Sequence, residues 1–77
     1  MAKPFNGHRS WNAWNVSLWI NNDERLYRAA QSFVNAAKDK DTAAEAFLWT
    51  LKSHGETHTP DGGRYNKTTV RLAMRGM

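Results

Sequence analysis

Between Ser10 and Asn22 the chain runs for thirteen residues without a charge, S-W-N-A-W-N-V-S-L-W-I-N-N, and carries three of its four tryptophans, Trp11, Trp14 and Trp19. No other stretch constrains the fold as tightly. Projected at about 100° per residue, Trp11, Trp14 and Leu18 form one apolar arc. Ala13, Val16, Trp19 and Ile20 form a second on the opposite side, and Asn12, Asn15, Ser17 and Asn21 fill the gaps. A helix apolar on nearly every side belongs in the middle of a domain, with neighbours on both flanks. The spacing therefore predicts a buried central helix with Ser10 as its N-cap. A strand with period 2 also fits Trp14, Val16, Leu18 and Ile20. The rest of the chain offers it no good partner strand, and a lone strand leaves its backbone groups unpaired.

The 77 residues make one domain, near the lower size limit for folding alone. With no cysteine, neither disulfides nor thiolate–zinc sites can contribute. Stability must come from the core, where each tryptophan can bury about 150–250 Å². No uncharged apolar run approaches the roughly 20 residues that cross a bilayer. The start, M-A-K-P-F-N-G-H-R, lacks the apolar centre of a signal peptide. These features lead to the expectation of a soluble protein in a reducing cytoplasm, a host's in the reading below.

The rest of the chain reads as helices and turns. Residues 1–9 form an irregular lead-in whose Phe5 could tuck onto the core. A second helix is expected from about Asp23 to Lys38, since Leu26, Ala30, Phe33, Val34 and Ala37 fall on one stripe. Asn21 and Glu24 have the spacing of its capping pair. After the solvated turn K-D-K-D, Thr42-Ala43-Ala44-Glu45 reads as a capping box opening a third helix. Ala44, Phe47, Leu48 and Leu51 form its buried face, Trp49 lies at an edge, and Gly55 stops it. Residues 55–65 form a loop with a turn at Thr59-Pro60-Asp61-Gly62. Asn66 caps a last helix over Lys67–Arg75, with Val70, Ala73 and Met74 inward. The expected fold is all-α, a single-domain bundle of about four helices around the tryptophan-rich one.

Candidate chemistry is sparse. His54, Glu56, His58 and Asp61 lie close in sequence, but Gly55 breaks the helix that would align two imidazoles as ligands. There is no cysteine nucleophile, no G-x-S-x-G elbow and no phosphate-cradling glycine loop. Ser32 and Ser53 have no evident base beside them. The reading is a non-enzyme with no catalytic residue, metal site or cofactor.

Charge is more informative. From Met1 to Asp61, seven Lys or Arg balance seven Asp or Glu, so the whole net +4 comes from Arg64, Lys67, Arg71 and Arg75. The last three recur at i, i+4 and i+8 and would share one helix face. Such a stripe suits phosphates or an acidic protein surface, or is an ordinary solvated face. Trp49 and Tyr65 join it as candidate contacts able to stack on bases, although aromatics at a helix edge more often belong to the core.

The segment from Asn6 to Tyr27 resembles a family of small proteins encoded by tailed bacteriophages. Its core reads W-x-x-W-x-V-x-L-W-I-x-N-D-E-x-L-Y, matched by Trp11, Trp14, Val16, Leu18, Trp19, Ile20, Asn22, Asp23, Glu24, Leu26 and Tyr27. Thr59 to Met74 resembles the family's tail, and Arg25 stands where glycine is more usual. The family has no assigned activity. The resemblance implies a protein that binds and inhibits a host macromolecule, for which a defence complex such as a CRISPR effector is the most concrete candidate. Direct binding of DNA or RNA by the basic last helix is the alternative, and a self-associating structural protein is the third.

Overall fold

The computed structural model describes residues 10–77, so the expected lead-in with Phe5 lies outside the described residues. Four helices follow in order: α1 Trp11–Asn22, α2 Glu24–Ala36, α3 Lys40–Ser53 and α4 Lys67–Ala73. The all-α expectation holds. The only strand-like pairing among the described residues is an isolated antiparallel bridge between His58 and Arg64.

Each helix starts where a side chain can satisfy a backbone N–H that has no partner within the helix. Ser10 Oγ accepts from Ala13 N–H at 3.2 Å, as its position predicts. Helix α2 is capped by Asp23, whose Oδ1 accepts from Leu26 N–H at 3.1 Å, and the expected pairing of Asn21 with Glu24 does not form. Asn21 instead donates to the carbonyls of Ser17 and Ala73, at 2.9 and 3.1 Å. Helix α3 opens three residues earlier than expected, at Lys40, because Asp39 accepts from Thr42 N–H at 2.7 Å. A carboxylate is a stronger acceptor for a backbone N–H than a hydroxyl, so Asp39 takes the position assigned to Thr42. Asn66 and Thr69 form a reciprocal capping box at α4. That helix ends at Ala73, two residues short of the expected Arg75.

The helices form a ring. α1 packs on α2 and α4, and α3 packs on the same two, while α1 and α3 occupy opposite corners without direct helix contact. Val16 and Ile20 from α1, Leu26 and Ala30 from α2, Ala43, Ala44, Phe47 and Leu51 from α3, and Val70, Ala73 and Met74 near α4 fill the centre. Phe33 stacks on Phe47 with ring centroids 5.5 Å apart, which fastens α2 to α3.

This arrangement corrects the expectation that both flanks of α1 are covered. Ala13, Val16 and Ile20 are buried, but Trp11 and Leu18 are each 39% exposed and Trp14 is only partly buried. The two apolar arcs are real, and one of them faces outward. The 55–65 loop lies on the flank of α1 that carries Asn12, Asn15 and Trp19, where the helical pattern alone gave no reason to place it.

Candidate functional site

The loop after α3 is held against α1 by a polar knot. Asn15, 1% exposed, donates to Asp61 Oδ2 at 3.1 Å and accepts a short hydrogen bond from the Thr59 hydroxyl. Trp19 Nε1–H donates to the same Asp61 oxygen at 2.9 Å. Gly63 N–H donates to Thr59 Oγ1 at 2.9 Å, and Thr59 N–H donates to the Gly63 carbonyl at 2.7 Å. Arg64 N–H reaches Asn12 Oδ1 at 3.3 Å. Asn15 thus works both as donor and acceptor, the versatility that suits a primary amide to a buried hub. No buried side-chain nitrogen or oxygen among the described residues lacks a partner.

Gly63 is required by close approach. A Cβ there would stand 2.6 Å from Asn15 Oδ1. Gly62, with φ of 95°, supplies the left-handed turn that brings the chain back. The hydrogen bonds from Trp19 and then Asn15 hold the Asp61 carboxyl below its ordinary value. The sequence marked Thr59-Pro60-Asp61-Gly62 as a turn, but only the folded chain shows that Asp61 is its anchor.

The knot also decides the fate of Tyr65. Tyr65 N–H pairs with the Thr57 carbonyl at 3.0 Å, and its side chain enters the core, leaving the residue 5% exposed. Burial, and then the carboxylates of Glu56 and Asp23, push its phenol above the usual value. Tyr65 is therefore removed from the candidate contact face, since a base cannot stack on a ring already enclosed.

The basic stripe is also rearranged. Lys67 Nζ lies 3.3 Å from Asp41 and 3.9 Å from Glu45, and Arg71 Nε lies 2.6 Å from Asp41. Both cations lean on acids from the first two turns of α3. Arg75 sits in the turn beyond α4, so the three-residue helical stripe is really a pair followed by a separate cation. Arg64 is exposed at the bridge with His58, one residue before the buried ring of Tyr65.

Trp49 meets the expectation of an edge position and exceeds it. It is 68% exposed, the most exposed of the large apolar residues described. It lines a shallow groove between α3 and α4 with Glu45, Leu48, Lys52 and Lys67. A neighbouring hollow continues along α4 past Asp41, Thr68, Arg71 and Leu72. The face thus combines one large aromatic with mixed charge in which cations outnumber acids: Lys52, Lys67 and Arg71 against Asp41 and Glu45.

The histidine cluster separates. Glu56 faces Arg25 at 3.4 Å, Asp61 belongs to the knot, and His58 Nδ1 lies 2.9 Å from the Thr57 hydroxyl. No group of three or more His, Cys, Asp or Glu suited to a metal occurs among the described residues. None of the described helices is long and apolar enough to cross a membrane.

Fold and surface together define a small all-α domain with a loop knotted onto its first helix and a bare tryptophan on its third. The chain belongs to DUF7249, a family of unknown function whose pattern matches residues 1–77. No curated protein and no solved structure matches the chain.

Proposed function

We propose that this is a non-enzymatic protein of bacteriophage type that binds a host macromolecule and inhibits it, using the α3–α4 face centred on Trp49. The exposure of Trp49 carries the reading. A tryptophan in the middle of a helix, 68% open to water beside Lys52 and Lys67, is costly to leave bare. It is also the residue type that most often anchors a protein interface. The phage source and a defence complex such as a CRISPR effector as target rest on the sequence resemblance alone. A protein partner fits this face better than bare nucleic acid does, because Asp41 and Glu45 already offset Lys67 and Arg71 and Tyr65 is enclosed.

The test is capture from host lysate, with and without nuclease, by the wild type and by Trp49→Ala. The variant is expected to melt like the wild type, within about 0.5 kcal/mol for a surface change, and to lose the captured partner whether or not nuclease is present. Undiminished capture by folded Trp49→Ala would remove this face from consideration. Capture abolished by nuclease would favour direct DNA or RNA binding, as would a steep loss of binding with salt.

A further inference from the structure

A different face carries a second reading, independent of the Trp49 surface. Trp11, Trp14 and Leu18 stand at i, i+3 and i+7 on the outward side of α1. Trp11 and Leu18 are each 39% exposed, and Trp14 is partly so. Asn21 and Asn22 close the far end of the stripe, and their amides are tied back to Ser17 and Leu18 carbonyls at 2.9 Å. From Trp11 to Asn22 the helix bears no acidic or basic residue.

We infer that this stripe is where two copies of the chain pair, antiparallel, about a two-fold axis near Trp14. In a two-fold interface the same patch lies on both sides, so whatever a face carries meets itself. The α3–α4 face carries Lys52, Lys67 and Arg71 against Asp41 and Glu45, so a copy would repeat an excess of cations there, whereas the outer stripe of α1 bears no charge. Its layout is also self-complementary. Trp14 lies three residues after Trp11 and four before Leu18, so antiparallel pairing sets Trp11 of one copy against Leu18 of the other, with the two Trp14 side chains at the centre. Antiparallel helices also oppose their dipoles favourably. The contact is small beside the roughly 800 Å² per partner of a standard interface, so the dimer is weak and forms at about 100 µM, the regime of a small hydrophobic contact.

Sedimentation velocity over a concentration series, from about 5 to 500 µM around that affinity, tests the pairing on the full chain. The wild type is expected to shift from monomer to dimer across the series. Leu18→Lys and Trp11→Glu, each placing a charge against a neutral face, should remain monomeric throughout. The acid at position 11 also suits a helix N-terminus, so Trp11→Glu keeps the test available if Leu18→Lys fails to fold by circular dichroism. The double variant W11E/L18K should recover the dimer, because each new carboxylate then faces a new ammonium. Trp49→Ala should dimerise as the wild type does. A wild type that stays monomeric at the top of the series overturns the pairing. So does a dimer that survives the single charged variants, a double variant that fails to recover when both singles are monomeric, or a dimer lost in Trp49→Ala.

Discussion

Asn15 and Gly63 depend on each other in a way that neither residue type announces. The asparagine is buried because the loop supplies partners for both ends of its amide, and the loop can approach because residue 63 has no side chain. Asn15→Ala is expected to lower stability by about 2–3 kcal/mol, since the Thr59 hydroxyl loses its acceptor in a buried place. Gly63→Ala should cost about 1–3 kcal/mol through overpacking against Asn15. In chemical denaturation the double variant should fall short of the sum, as residues in contact do; strict additivity would mean that the two do not meet. Asp61 adds a pH dependence. Its folded pKa is lowered, so its contribution is present above the unfolded carboxylate value of about 3.9 and is lost as pH falls through the folded value. Asp39, lowered chiefly by its hydrogen bonds to Thr42, acts in the same direction. Thermal melting from pH 6 to pH 2, about the span of these carboxylates, should show a smaller acid loss in Asp61→Asn than in the wild type. An equal loss would leave Asp61 without a part in it.

At the scale of the elements, much was legible because the signals are local. The N-caps Ser10 and Asn66 and the apolar stripe of α2 follow from short-range spacing and were read from it. What was not legible depends on residues far apart in the chain. Nothing near Asn15 says that a loop 46 positions later will cover it, and nothing near Tyr65 says that its ring turns inward. Helix α1 shows the limit most plainly. Its two arcs were evident, but a single sequence cannot tell an arc that meets the core from one left facing water. The consequence is measurable. Ile20→Ala should cost about 2–5 kcal/mol, the range for a fully buried aliphatic side chain. Trp11→Ala, on the outer arc, should cost under about 1 kcal/mol of monomer stability. Comparable losses from urea unfolding at low protein concentration would place Trp11 in the core.

Across the whole molecule, the sequence locates the net charge of +4 in the last quarter of the chain, but not the acids that pair with it. Asp41 precedes Lys67 by more than the length of α3, and only the ring of helices brings it between Lys67 and Arg71. A triple charge reversal, K67E/R71E/R75E, therefore does more than remove cations. It places new carboxylates beside Asp41 and Glu45. Each exposed pair is worth only about 0.2–1 kcal/mol, so the variant should fold with a reduced melting temperature that high salt partly restores. A variant as stable as the wild type at low salt would show that these pairs are not maintained in solution.

The knot between α1 and the 55–65 loop also fixes an order of events in time. Helices α2 and α3 are neighbours in sequence and can meet through a three-residue connection, whereas Asn15 must wait for Asp61 across most of the chain. Loop closure of that length is slow to be rewarded, so α2 and α3 should associate first, and α1 should lock to the loop and α4 near the end. The same seam, formed last, is the natural place for the native protein to open first. Amide exchange should then distinguish two cooperative units. The Gly63 and Thr59 amides should exchange together, sooner than those in the middle of α3. Substitutions at Asn15 should accelerate unfolding while leaving the refolding rate nearly unchanged.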